Sequence, residues 1–165
     1  MSIFAKKIRM KKIVCFGPGP QFKGGIANYT TSLAKAFDKM EDTEVHIVSW
    51  TQQYPAIIPR DFIDRKSRKD QLEGTGIKVH YVTNYNNPLS WHKTAKLIRE
   101  IKPEMVIIQW AIAVQGLPLG TIARLLKKDK NIKVVFDLHF VIQKEGSAVD
   151  NHFTRYGIGQ ANGYV

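Results

Sequence analysis

Five short, β-branched apolar runs recur along the chain: "KIVCFG" at 12–17, "VHIVSW" at 45–50, "IKVHYV" at 77–82, "MVIIQW" at 105–110 and "KVVFDLHF" at 133–140. Most are apolar without interruption, as expected of parallel strands covered on both faces. Helical patterns lie between them. Ile26, Tyr29, Thr30, Leu33, Ala34 and Phe37 follow the i, i+3, i+4, i+7 rule and predict a helix with one core-facing stripe. A second pattern, from about Ser90 to Lys102, turns Trp91, Ala95, Ile98 and Ile101 inward, with Pro103 just past its end. Its outer face carries His92, Lys93, Lys96 and Arg99, and Lys96 pairs with Glu100 at i, i+4. A third, around Thr121 to Lys128, buries Ile122, Leu125 and Leu126. Strand and helix in alternation predict right-handed crossovers and a Rossmann-like, doubly wound, mainly parallel α/β sheet. The 165 residues suit one such domain.

Sheets of this kind bind ligands outside the carboxyl ends of their strands, near the point where strand order reverses. That rule singles out the loop from Gly17 to Gly25, Ser49 and Trp50, Asn84 to Asn87, Gln109 and Trp110, and Asp137 to His139. One connection is irregular. "TQQYPAIIPRDFIDRKSRKDQLEGTG", between the second and third strands, is long and combines the apolar "YPAIIP" with Arg60, Arg65, Lys66, Arg68 and Lys69. Long insertions in compact domains are usually functional or disordered, and this one reads either as a contact for a membrane or anionic acceptor or as a solvated loop.

The net charge of +11 favours polyanionic partners: an anionic membrane surface, nucleic acid or phosphorylated ligands. Nucleic acid is the weakest of these, because the basic residues are not interleaved with aromatics suited to stacking. A single cysteine, Cys15, excludes an internal disulfide and fits a reducing, cytoplasmic setting. The apolar run after the basic opening "MSIFAKKIRMKK" stops at Gly17-Pro18, too soon for a secretion signal. No apolar stretch approaches the roughly 20 residues that span a bilayer, so membrane contact would be peripheral. No cluster of metal-ligating residues is visible in the sequence.

"FGPGPQFKGGIANYT", residues 16–30, leads from the first strand into the first helix. The dinucleotide fingerprint needs glycine where Phe22 stands and an acidic residue where Ser49 and Trp50 end the second strand. A nucleotide P-loop needs Lys-Ser where the chain has Gly25-Ile26, and Pro18 and Pro20 lack the N–H groups of a phosphate cradle. What remains is the pair Gly24-Gly25 opening an amphipathic helix. Helix N–H groups and the positive end of the dipole make that position an anion seat, while glycines that merely permit a turn and tight packing are the other reading.

The first strand ending in Gly-Pro, followed by "KGGIANYTTSLAKAF", resembles the opening of the N-terminal domain of family-4 glycosyltransferases, which have the two-domain GT-B fold. "YPAIIP", "NPLSW", "KPEMVIIQW", "KVVFDLH" and "QANGYV" follow in the family's order, so the resemblance covers nearly the whole chain. It implies that Gly24 and Gly25 lie beside the diphosphate of a nucleotide-sugar donor, with Lys23 adding charge. It also implies that His139 faces the transferring sugar, although Phe140 replaces the polar residue common in the family. A histidine there can hydrogen-bond a sugar hydroxyl or stabilise an oxocarbenium-like transition state. Asp137, on the same face of the strand by the period of two, is a candidate to orient His139 or to satisfy a buried backbone group. Gln109 and Trp110 are candidates to wall an acceptor pocket.

By this resemblance the chain is the acceptor-side, N-terminal half of a retaining, metal-independent glycosyltransferase. It would act on a lipid-linked or polysaccharide acceptor at the cytoplasmic membrane face, and it would need no cofactor beyond its nucleotide-sugar substrate. The donor-binding C-terminal domain with its paired glutamates has no counterpart in these residues. A half-cleft cannot close on a donor and exclude water, so the chain alone is expected to be nearly inactive. The alternative is a non-catalytic basic module that docks on anionic membrane or complements a separate domain.

Overall fold

The computed structural model describes residues 10–58, 62–66, 70–140 and 147–165. Arg60, Arg68 and Lys69 of the basic insertion lie outside the described residues, as does most of the basic opening segment. The strands are β1 (Lys11–Phe16), β2 (Thr43–Gln52), β3 (Lys78–Asn84), β4 (Met105–Trp110), β5 (Lys133–Leu138) and β6 (Gly163–Tyr164). They form one parallel sheet in the order β3-β2-β1-β4-β5-β6. This is a Rossmann-like, doubly wound α/β fold. Strand order reverses between β1 and β4, and that switch point is where the Gly-rich loop leaves the sheet. No helix among the described residues is long and apolar enough to cross a membrane.

The two faces of the sheet follow from the period of two along each strand. Ile13, Cys15, Val45, Ile47 and Ile107 pack on one face with Ala34 of α1 (Gly25–Asp38). Burial there pushes the Cys15 thiol up to about 12, so it is an inert core residue. Val14, Phe16, Val48, Val106, Ile108 and Phe136 face the other way, onto Trp91 and Ile98 of α2 (Pro88–Ile101) and Leu119 and Ile122 of α3 (Gly116–Leu126). α2 starts at Pro88, its Asn87 cap accepts from the Leu89 amide at 3.1 Å, and it buries Trp91, Ala95, Ile98 and Ile101 as its periodicity predicts.

Two helices depart from the sequence-based expectation. In α1 the buried residues are Ala27, Thr30, Thr31 and Ala34, while Ile26, Leu33 and Phe37 flank the contact and Tyr29 is 41% exposed. Small side chains let the helix lie close on the sheet. The Thr30 and Thr31 hydroxyls donate to the carbonyls of Ile26 and Ala27 at 2.8 Å each, so burying them leaves no polar group unmet. α3 begins at Gly116 rather than Thr121, because Pro118 sits in the first turn, where a missing N–H costs nothing.

A fourth helix, α4 (Ala148–Ile158), was not anticipated from periodicity. Its amphipathic pattern is weak, but a reciprocal Ser147–Asp150 capping box starts it. It packs on α3 at backbone range: a Cβ at Gly120 would press on the Tyr156 ring at 2.8 Å. The Arg124 guanidinium lies 3.6 Å over that ring and donates to the Tyr156 carbonyl at 2.7 Å.

Among its described residues the long β2–β3 connection forms no helix and is partly packed rather than wholly solvated. It folds back on the Gly-rich loop through an antiparallel bridge between Phe22 and Ile63, and Phe62 and Ile63 pack against the core. At the opposite, amino end of the sheet, Glu44 accepts from Lys78 at 2.9 Å and contacts His46 at 2.8 Å. Those hydrogen bonds, led by Lys78, bring its carboxyl down to about 2. His46 in turn lies 3.0 Å from His80, and burial holds both imidazoles below the ordinary histidine value.

Gly157 in α4 is a packing requirement. A Cβ there would stand 2.6 Å from Cη2 of Trp110 and 2.9 Å from the Cα of Gly116. Gly157→Ala should therefore destabilise the protein by about 1–3 kcal/mol through overpacking, although alanine is the better helix former by about 1 kcal/mol. Urea unfolding followed by tryptophan fluorescence checks this, and an unchanged midpoint would contradict the packing.

Candidate functional site

The Gly-rich loop is held by the tips of neighbouring strands, and its backbone donors are taken one by one. Gly17 donates to the Val48 carbonyl at 3.1 Å and Phe22 to the Gly19 carbonyl at 2.9 Å. Gly19 donates to the Ser49 hydroxyl at 2.7 Å, and Gln21 to the Tyr81 hydroxyl at 3.3 Å. Lys23 donates to the Phe62 carbonyl at 2.6 Å. Pro18 and Pro20 have no N–H. The loop proper thus has nothing left for a phosphate, and Ser49, which stands where a dinucleotide fold places its acidic residue, serves instead as a loop anchor.

The donors that remain belong to the first turn of α1. Gly24 is its N-cap at φ +105°, no side chain caps the helix, and no acidic residue lies in the first turn. Both Gly24 and Gly25 are exposed, with open space where a Cβ would be. An uncapped helix start of this kind is an anion seat by geometry and by dipole. It opens into a cleft of about 180 Å³ whose lining includes Lys23, Gly24, Gly25, Tyr54, Gln109 and Gln115.

Across the switch point, the chain leaving β5 places His139 beside Gln109 of β4. The His139 Nε2 lies 2.6 Å from the Gln109 Oε1, and the His139 amide donates to the Trp110 carbonyl at 2.9 Å. Tyr29, one turn into α1, meets the His139 ring edge-on with centroids 5.0 Å apart. Asp137 beside its hydroxyl, with burial adding to the effect, raises the Tyr29 pKa. Gln109 is 3% exposed, and its Nε2 has no hydrogen-bond partner. A buried N–H left so costs about 1–3 kcal/mol, which marks it as a group waiting for a ligand or a water.

The structure thus brings together Gly24, Gly25, Lys23 and Gln109 around one cleft, with His139 held by Gln109 at its side. Two sequence-based assignments change. Trp110 does not wall a pocket: it is 1% exposed and packs against Phe136 at 6.2 Å and against Gly157, because its side chain faces opposite to that of Gln109. Asp137 does not orient His139: it is Gln109 that hydrogen-bonds the histidine. Phe140 is well exposed. Tyr29, Tyr54 and Gln115 were missed. Tyr29 carried a signal, since it lies one helical turn beyond the glycine pair. Tyr54 and Gln115 sit in irregular segments that periodicity does not reach. Among the described residues no group of three or more His, Cys, Asp or Glu side chains is arranged to hold a metal ion.

No family model matches the chain, and no curated protein matches it. Among solved structures, it is similar to a cobalamin-binding protein from Desulfitobacterium hafniense DCB-2, with 12% identity and a TM-score of 0.44 over 95% of this chain and 53% of that one. The chain spans about half the length of that structure, and at this level of similarity nothing about ligand or activity passes between them.

The two glycines differ in what they tolerate. Gly24→Ala forces a side chain into positive φ and should cost about 1–3 kcal/mol. Gly25→Ala, in ordinary helical backbone with open space beside it, should stay within about 0.5 kcal/mol of the parent. Paired denaturation curves check the difference, and equal losses would contradict the assigned conformations.

Proposed function

We propose that this chain is the acceptor-side domain of a retaining glycosyltransferase that uses a nucleotide-diphosphate sugar and a lipid-linked or glycan acceptor. The observation that carries the reading is the uncapped start of α1, opened by two glycines at the switch point, with His139 held nearby. In this reading the donor diphosphate sits on the first-turn amides. Lys23, exposed at the same rim, adds a positive charge. As the diphosphate departs, the helix end and Lys23 stabilise the charge that develops on it. His139, fixed by Gln109 and Tyr29, hydrogen-bonds a hydroxyl of the transferring sugar. The cleft of about 180 Å³ is smaller than the roughly 300–1,000 Å³ of sites that enclose a small molecule. It seats the diphosphate and leaves nucleoside and sugar to a second lobe, which also excludes water.

With a donor-binding lobe joined, Gly25→Val and His139→Ala should each lower turnover on the order of a hundredfold, the loss seen when a charge-stabilising donor is removed. Radiolabelled sugar transfer measures this, and parent rates in both variants would refute the assignment.

A second reading, a module that docks on anionic membrane, is favoured by one corner of the surface. A turn closed by the Ile58 amide on the Pro55 carbonyl at 2.9 Å presents Ile57, 88% exposed. Asn86 ties that turn to the start of α2, accepting from the Ala56 amide at 3.1 Å and donating to the Tyr54 carbonyl at 3.3 Å. Leu89, 70% exposed, and then Lys93 and Lys96 follow on α2. Apolar tips flanked by cations suit an anionic bilayer. Ile57→Asp combined with Lys93→Glu should abolish flotation with phosphatidylserine vesicles, and unchanged flotation would remove this corner from consideration.

A further inference from the structure

We propose that Gln109 is a positioning residue that couples anion binding at the first turn of α1 to the state of His139, its Oε1 accepting the His139 Nε2–H while its unpaired Nε2–H donates to an oxygen of a phosphoryl anion in the cleft. This rests on the anion-seat part of the reading above and adds to it a named donor and a link to the histidine. Three independent observations converge. The helix start is uncapped and opens on two glycines with free space where a Cβ would stand. Gln109 lines the same cleft as Gly24 and Gly25. Its Nε2 is buried without a partner, in a side chain only 3% exposed.

The side chain is also locked in place. A Cβ on Gly17 would stand 2.7 Å from the Gln109 Cγ and 3.0 Å from its Cβ, so glycine at 17 makes room for this glutamine. A primary amide presents an acceptor and donors on one rigid plane. It can hold histidine and ligand together, and each hydrogen bond polarises the other. The class of ligand follows from what lines the seat. At the helix start the first-turn amides, the Gln109 Nε2–H and the Lys23 ammonium are all donors. Donors of one kind around a positive helix end select an oxyanion with several acceptor atoms, as a phosphoryl group has. With Oε1 on Nε2–H, His139 is fixed as the Nε2-protonated tautomer and presents Nδ1 as an acceptor.

The test is nitrogen-15 NMR of this chain during titration with inorganic pyrophosphate. The Gln109 side-chain amide should move along the same saturation curve as the backbone amides of Gly25 and Ile26, with His139 protonated at Nε2. Gln109→Glu keeps the shape and the acceptor for His139 but replaces the donor with a negative oxygen. It should weaken pyrophosphate on the order of tenfold or more, about 1.4 kcal/mol per factor of ten. Gln109→Met removes donor and acceptor together. It should weaken binding less than Glu and release His139 to populate both tautomers, and it decides the matter should the Glu variant fail to fold. If Gly25 and Ile26 respond while Gln109 does not, the anion seat stands and the coupling is overturned. If His139 carries its proton on Nδ1, the amide is turned the other way and the proposal is again overturned. If no amide responds, the seat and the coupling fall together.

Discussion

Between Gly17 and Lys23 every backbone N–H is either absent, at the two prolines, or already donated within the fold, two of them to the Ser49 and Tyr81 hydroxyls at the tips of the adjacent strands. Buried backbone groups must find partners, so this tethering fixes the loop and sets where the next donors can lie. They lie at the first turn of α1, which leaves the loop uncapped at the point where strand order reverses. The cleft, the bare glycines and the placement of Gln109 all follow from that anchoring. A loop with its own amides turned outward would have made a nucleotide cradle at a different place.

The strands were legible because a parallel sheet covered on both faces needs unbroken apolar runs, and all five anticipated segments form strands at nearly the expected bounds. Helix faces were less legible. In α1 the fully buried positions are the small residues Ala27, Thr30, Thr31 and Ala34, with Leu33 and Phe37 packed partly buried beside them, because close approach favours small side chains at the centre of the contact. α4 escaped because its packing is done by glycines, whose role is the absence of a side chain and leaves no hydrophobic pattern. Its Ser147–Asp150 box was the readable sign.

The candidate site divides in the same way. Gly24, Gly25 and His139 were singled out from their positions at strand and helix ends together with the family resemblance. The pairing of His139 with Gln109 and the turning of Trp110 into the core depend on the side of the sheet to which each side chain points. The period of two decides this once the strand ends are known: Gln109 and Asp137 lie on the α1 side, Trp110 on the other. The cleft is smaller than sites that enclose a small molecule, and that is the observation behind the proposed acceptor-side reading.

A crystal of this chain soaked in tungstate, a phosphate-shaped oxyanion with strong anomalous scattering, tests the central claim most directly. The account predicts an anomalous peak within hydrogen-bonding distance of the Gly25 and Ile26 amides and the Gln109 Nε2. Tungstate found on the lysines of α2 with the first turn of α1 left bare would contradict it.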